Sequence, residues 1–391
     1  MSTNTDPKAV DELLFRGVEE VIGEDDLRKK LLSGKPLRIK LGIDPTSPNL
    51  HIGRSVPLLK LRDFQQLGHT IVLIIGDATG IIGDTSDKDA ERPMLEKETV
   101  EENKKEYFAQ AGKLIDLDKT ELRYNSEWLD KLTYKEIGEH AGVFSVADFI
   151  ARDNIRRRLD AGKRVSLREV LYPLMQGYDS VVVKADVEIG GMDQRFNNLA
   201  GRPLQEHFGQ EPQSVVLNPL IPGLDGRKMS SSWGNVINLR DEPNDMYGKV
   251  MSLSDDLVEQ YFTVCTRVSL DEIPDILGGH PKEAKMRLAR EIVTMYHDEA
   301  AAKKAEETFV RIFSEKFIPE DAPEITVEKH AFLQTVLVEN KIIESNSEFR
   351  RLVDSGAITH MNTGDKIDNP QTHAEPGVYK IGKRRFVKIV V

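Results

Sequence analysis

Cysteine is almost absent from this sequence. The single one, Cys265, excludes an internal disulfide and any zinc site built from several thiolates. Long apolar runs are missing as well: the longest purely aliphatic stretch, Ile71 to Ile75, falls far short of a bilayer span. The opening residues, MSTNTDPKAVDELL, hold neither the basic segment nor the apolar core of an export signal. Together these absences point to a reducing cytoplasm and no membrane partner. The commonest nucleotide-binding signatures are lacking too. No G-x-x-x-x-G-K-[ST] occurs, which excludes a P-loop, and the glycines of GDATGIIGD do not have G-x-G-x-x-G spacing. There is no internal repeat, no low-complexity tract and no evident carboxylate cage for a resident metal.

What is present is ordinary in bulk. A length of 391 residues accommodates two or three domains, and 39% hydrophobic with 30% charged residues describes a soluble globular chain. The net charge of −11 is unevenly spread. Residues 331–391 carry nine Lys/Arg against seven Asp/Glu, a balance of +2, which leaves −13 on the preceding 330 residues. An acidic body with a mildly basic tail remains compatible with RNA, because local patches matter more than the total.

The first half alternates apolar strands with amphipathic helices. Strands are expected at 37–44, 69–77, ELRYN, 185–191 and 213–219. A helix follows the first strand, with Leu58, Leu61, Phe64 and Leu67 recurring and Gly68 as its stop. This order implies right-handed crossovers, a parallel sheet and ligands at the carboxyl ends of its strands. Beyond about residue 240 the chain turns helical: SLDEIPDIL suggests a capping box from Ser269 to Glu272, and KEAKMRLAREIVTMYHDEAAAKKAEETFVRIF a long helical run. FIPEDAPEI (317–325) reads as a linker, SNSEFRRLV as a short helix capped by Ser345 and Glu348, and KRRFVKIVV as a strand.

Three segments carry chemistry. In DPTSPNLHIGRS, Gly53 leaves backbone room for a flat adenine or a ribose, the helix N-terminus favours phosphate, and Thr46 and His51 can donate to phosphate oxygens. Read alone, HIGR is better explained as a solvated loop with a surface histidine. In LDGRKMSSSWGN (224–235), Lys228 heads a Ser- and Gly-rich loop that suits either a cation closing on polyphosphate or a linker between domains. Tyr172, Gln176 and Asp179 fall at i, i+4 and i+7 and share one helix face, which by itself could be a plain exposed face. Lys88 and Arg92, read alone, are a solvated charge run.

In their order along the chain these segments resemble the tyrosyl-tRNA synthetases of bacteria, over nearly the full length. DPTSPNLHIGR is similar to the family's first ATP motif and KMSSS to its second, usually written KMSKS. GDATGIIGDTSDKDAER resembles the family's strand-and-loop segment, LYPLMQGYDS and EIGGMDQRFN its amino-acid-binding segments, and SNSEFRRLVDSGAITHMNTGDKI its terminal S4-type module. The resemblance implies an α/β fold: a Rossmann-like parallel-sheet catalytic domain over 1–240, an α-helical anticodon-side domain with linker over 241–325, and a small α+β S4-like RNA-binding domain over 326–391. It implies a homodimeric tyrosine–tRNA ligase that converts L-tyrosine and ATP, with Mg2+, to tyrosyl-adenylate and pyrophosphate and then charges tRNA(Tyr), with no tightly bound cofactor.

Carried over residue by residue, the resemblance implies that Asp179 accepts the hydrogen bond of the substrate phenol. Tyr172, Gln176, Asp84 and Gln194 would hold the ammonium end. Phenylalanine would leave the Asp179 side unsatisfied; tyrosyl-tRNA synthetases are themselves the standing example of such rejection without editing. Thr46 and His51 would meet the polyphosphate, and Lys88, Arg92 and Lys228 would close over the leaving pyrophosphate. Asp193, beside Gly191, would bind the ribose, with Gly53, Arg54 and Ser231 completing the ATP site. Arg350 and Arg351 on the short helix, and Lys383, Arg384, Arg385 and Lys388 on the last hairpin, would grip tRNA phosphates.

Three residues depart from the family pattern. Arg54 stands where a second histidine is usual, and Ser231 where many relatives have a second lysine; Arg54 is expected to reach the nucleotide and partly replace that cation. Lys40 stands where one branch places a tyrosine against the phenol, and it reads as either a pocket wall or a phenol partner. The rivals are a tryptophan-specific relative, disfavoured by Asp179 because indole carries no hydroxyl, and an RNA-binding paralogue that has lost activation.

Overall fold

Six strands build the larger sheet: β1 (Glu20–Ile22), β2 (Arg38–Ile43), β3 (Thr70–Ile75), β4 (Thr120–Tyr124), β5 (Val187–Gly191) and β6 (Ser214–Asn218). The structure, a computed structural model, describes residues 3–84, 94, 96–314, 322–327, 331–382 and 385–390. The strand order is β1-β6-β5-β2-β3-β4, parallel throughout except for β1, which runs antiparallel to β6. The expected parallel sheet is present. Residues 71–75 of β3 and all five residues of β6 are buried, as expected for strands covered on both faces. The edge strand β1 escaped the sequence reading because three half-buried residues show no period.

The chain leaves β2 for β3 on one side and reaches β5 on the other. The order therefore reverses between β2 and β5, the position where sheets of this kind open a crevice at the strand ends. Helix Ile52–Gln66 follows β2 and buries Leu58, Leu61 and Phe64, then stops at Gly68, whose φ of 89° is left-handed. Helix Leu167–Val183 opens with a full capping box between Ser166 and Glu169. Its internal Pro173 cannot donate to the Glu169 carbonyl, and Arg152 Nη2 does so instead at 3.4 Å.

Three expectations in the second half are corrected. No capping box forms at Ser269, because the helix there begins at Ile273 with a proline in its first turn. The long helical run divides into Pro281–Tyr296 and Glu299–Ser314, since His297 leaves the helical conformation and the Asp298 side chain accepts from Ala301 N. The segment read as a linker ends in a strand, β7 (Glu324–Thr326), while residues 317–321 of it lie outside the described set.

The chain divides into two compact units, one to Lys303 and one from Lys304. The second holds β7, β8 (Ile358–His360), β9 (Gly377–Ile381) and β10 (Arg385–Val390) in the order β7-β10-β9-β8. Its core gathers Leu333, Leu337, Phe349, Ile358, Ile381 and Val387. Ser345 caps helix Asn346–Asp354 by accepting from Glu348 N, but the Glu348 carboxylate takes Glu344 N and Arg385 Nη2, each at 2.7 Å, rather than closing the box. Among the described residues no helix is long and apolar enough to cross a membrane.

Candidate active site

A cavity of about 270 Å³ opens at the carboxyl ends of β2, β5 and β6. Close backbone approach shapes its floor. At Gly76, which follows β3, a Cβ would lie 2.0 Å from Asp44 Oδ1 and 2.3 Å from Thr79 Oγ1, so only glycine fits. Two distant loops meet across the opening. Ile52 N donates to Ile237 O and Leu239 N to Leu50 O, each at 2.9 Å, which pins HIGR beside the chain that leaves KMSSS. Gln110 steadies the same loop by accepting from Leu50 N and donating to Pro48 O, both at 2.9 Å.

One end of the cavity is cationic. His51 caps helix Ile52–Gln66, its Nδ1 accepting from Arg54 N at 3.3 Å. Burial, and then the charges of Arg54 and Lys228, push its imidazole down to about 3. The ring is therefore neutral, with its proton on Nε2, and can only donate from that nitrogen. Arg54 Nη1 donates to the buried Tyr107 hydroxyl at 2.7 Å, which holds the guanidinium on the cavity lining. Lys228 Nζ lies 2.8 Å from Asp193 Oδ2. Met229 is buried, its sulfur 3.4 Å from Gly53 N, so the second loop packs against the start of the helix. A Cβ on Gly53 would approach His51 Nδ1 to 3.2 Å; the missing side chain makes room for that ring.

The other end is acidic. Tyr172 donates to Asp44 Oδ2 at 2.8 Å, and burial together with the charges of Asp44, Asp84 and Asp179 holds its phenol well above the usual range. Asp84 accepts from Gln194 Nε2 at 2.7 Å. Asp179 accepts from Trp128 Nε1 at 2.8 Å and Asn125 Nδ2 at 3.3 Å. Burial drives its carboxyl up to about 7, against the opposing pull of Lys40 and those two donors. Three carboxylates around one hydroxyl suit a cationic group and a hydrogen-bond donor.

The residues expected to bind tyrosine and ATP come together wherever they are described. Thr46, His51, Gly53, Arg54, Asp84, Tyr172, Gln176, Asp179, Gly191, Asp193, Gln194, Lys228 and Ser231 all line this one cavity. Lys88 and Arg92 lie outside the described residues, as do Lys383 and Arg384. Arg350 and Arg351 are exposed on helix Asn346–Asp354. Arg385 is engaged internally, donating to Ile342 O at 2.8 Å and to Glu348. Lys40 does not line the cavity: it is fully buried, with its ammonium on Glu188, Ser180 and Gln176 O.

The sequence reading missed Asp44, Thr79, Asn125 and Trp128. Asp44 had a usable signal, an acid directly after a buried strand whose carboxyl end faces the crevice. Asn125 and Trp128 had none, because their relation to Asp179 exists only after β4 takes its place in the sheet.

Comparison with known proteins agrees with this geometry. The family described as tRNA synthetases class I (W and Y) matches residues 32–314, and the chain belongs to it. Its relatives narrow the class. A tyrosine–tRNA ligase of Moorella thermoacetica is 45% identical over 96% of this chain and 94% of its own. One of Thermotoga maritima is 43% identical over 98% of each. Among solved structures, a C-terminally truncated mitochondrial tyrosyl-tRNA synthetase of Coccidioides posadasii superposes with a TM-score of 0.64 at 26% identity, covering 77% of this chain and 91% of its own. A tyrosyl-tRNA synthetase of Archaeoglobus fulgidus complexed with L-tyrosine shares the fold at 22% identity, with a TM-score of 0.61 over 76% of this chain and 99% of its own.

Proposed function

We propose that this chain is a tyrosine–tRNA ligase that activates L-tyrosine with ATP and transfers it to tRNA(Tyr) in the cytoplasm. The observation that carries the reading is the two-ended cavity, with Asp44, Asp84 and Asp179 at one end and His51, Arg54 and Lys228 at the other. The amino acid enters the acidic end, its phenol donating to Asp179 and its ammonium facing Asp84, Tyr172, Gln176 and Gln194. ATP, as its magnesium complex, places its phosphates against Thr46, His51, Arg54, Ser231 and Lys228 and its ribose on Asp193, beside Gly53 and Gly191.

The tyrosine carboxylate attacks the α-phosphate in line, forming the acyl-phosphate bond while the bond to the β-phosphate oxygen breaks and pyrophosphate leaves. The nucleophile is already an anion, so no base is needed. The protein contributes positioning and charge stabilisation. Lys88 and Arg92 join Lys228 on the leaving pyrophosphate. In the second step the terminal ribose hydroxyl of tRNA attacks the acyl carbon and releases AMP. Residues 241–325 act as the anticodon-side domain and linker. Residues 326–391 act as an S4-like module that holds tRNA phosphates through Arg350 and Arg351, with Lys383 and Arg384 as further cations, whereas Arg385 is committed to Ile342 O and Glu348.

Homodimerisation is supported by large apolar side chains left exposed on successive helices between residues 134 and 167, with Tyr134 at 93%, Val146 at 72% and Leu167 at 71% exposure. Val146→Glu with Leu167→Glu lowers the sedimenting mass if that face is the interface. The activity itself is tested by ATP–pyrophosphate exchange with tyrosine, phenylalanine and tryptophan. Exchange with tyrosine alone is the expected result. Exchange with tryptophan, or with none of the three from folded protein, overturns the reading.

A further inference from the structure

Beneath the cavity lies a buried ion pair that none of these roles uses. Lys40 and Glu188 are register partners on the neighbouring parallel strands β2 and β5. Lys40 Nζ is 2.9 Å from Glu188 Oε1, and the two side chains are 0% and 1% exposed. The ammonium also donates to Ser180 Oγ at 2.8 Å and to Gln176 O at 3.0 Å, so all three of its hydrogens have acceptors. The second carboxylate oxygen accepts from Ser180 Oγ at 3.0 Å and from Gln213 Nε2. A buried ion pair is seldom a net source of stability, since desolvation offsets the attraction. Its effect here is on its neighbours.

The neighbour that reaches the cavity is Gln176. Its Nε2 donates to Glu188 Oε1 at 3.0 Å and to Asn198 Oδ1 at 2.7 Å, which uses both amide hydrogens. Reversing the amide would set its oxygen against the Glu188 carboxylate, an acceptor with nothing to donate; the Asn198 amide has an unpartnered Nδ2 and could turn with it, so the carboxylate is what fixes the orientation. The amide therefore offers its oxygen, an acceptor, to the cavity. Lys40 is required for this. Its ammonium lies on the same Glu188 Oε1 that takes the Gln176 amide, and so holds that oxygen in place behind the side chain.

We propose that the Lys40–Glu188 pair is a positioning device that locks Gln176 with its oxygen toward the cavity and so selects substrates carrying a protonated α-amine. The proposal rests on the tyrosine-activating reading above. It assigns Lys40 a place behind the ammonium subsite rather than beside the phenol.

The test compares dissociation constants for L-tyrosine and for its deaminated analogue, 3-(4-hydroxyphenyl)propanoate, by equilibrium dialysis with the full chain. Glu188→Gln should weaken tyrosine on the order of tenfold to a hundredfold, the range for a hydrogen bond to a charged group. The analogue, which lacks the amine, should stay within about twofold. Lys40→Met combined with Glu188→Met replaces the pair by apolar side chains of similar length and leaves no lone buried charge. It should show the same selective loss, and it decides the matter if Glu188→Gln fails to fold. Proportional weakening of both ligands, or of neither, overturns the proposal. A wild-type protein that does not activate tyrosine at all removes the functional reading instead, before any variant is compared.

Discussion

Lys228 Nζ and Asp193 Oδ2 lie 2.8 Å apart, so the loop after β6 is joined by one ion pair to the turn after β5. The cation assigned to the leaving pyrophosphate rests on the carboxylate assigned to the ribose. In the proposed mode of nucleotide binding that pair gives way to two contacts, one for each partner.

Lys228→Ala should therefore slow tyrosine-dependent pyrophosphate exchange on the order of a hundredfold or more, the scale of losing a charge donor at a developing anion. Tyrosine binding measured without ATP should stay within about twofold, because the lysine is at the opposite end of the cavity from Asp179. A matching loss of tyrosine affinity would place Lys228 in the amino-acid site instead.

Asp179 should make tyrosine recognition pH-dependent. Its carboxyl is raised to about 7 by burial, and only the ionised form accepts the phenolic hydrogen without supplying one. Affinity for tyrosine should rise by roughly tenfold per pH unit below pH 7 and level off above it. Asp179→Asn should bind weakly and lose the dependence. Stability follows the opposite slope. The folded value lies above the ordinary aspartate value of 3.8, so the native state binds more protons than the unfolded chain between the two. This group's contribution therefore falls as pH rises from about 4 to 7. Thermal melts of the wild type and Asp179→Asn across that range should diverge accordingly.

Arg54→Ala should slow adenylate formation far more than it weakens tyrosine binding, since the guanidinium lines the cationic end and Ser231 supplies no charge there. Tyr107→Phe removes the hydroxyl that holds Arg54 at 2.7 Å and should give a smaller loss of the same kind. Single-turnover adenylation beside equilibrium tyrosine binding separates the two effects. Equal small changes in both would remove Arg54 from the nucleotide site.

Gly42→Val tests the cavity floor. Gly42 lies on β2 and lines the cavity, and a Cβ placed there meets no atom within 4 Å. The strand tolerates valine, so melting should be unchanged or slightly raised. Tyrosine KM should rise on the order of tenfold or more as the methyls fill space the ring needs. An unchanged KM would mean that the ring binds elsewhere.

Much of the fold was legible because its signals are local. The buried run 71–75, the period of Leu58, Leu61 and Phe64, and Gly68 as a stop each follow from a few neighbouring residues. Where the reading failed, the decisive interaction was weaker or more distant than the pattern. Three residues of β1 carry no period, and the helical run past Pro281 breaks at His297 although its composition would continue it. Within the site, Tyr172, Gln176 and Asp179 were legible as a helix face, whereas Asn125 and Trp128 acquire meaning only by contact with Asp179.

Sequence alone determined the alternating strands and helices and the parallel sheet, and its resemblance to a family marked two loops as candidates for binding ATP. Tertiary structure decided that those loops line one cavity, by pairing residues 50 and 52 with residues 239 and 237. It also decided the place of Lys40, which the sequence left between pocket wall and phenol partner. Strand register sets that lysine opposite Glu188, 148 residues away. Period and propensity describe a residue's own element; they carry no information about which strand becomes its neighbour or which carboxylate that neighbour brings.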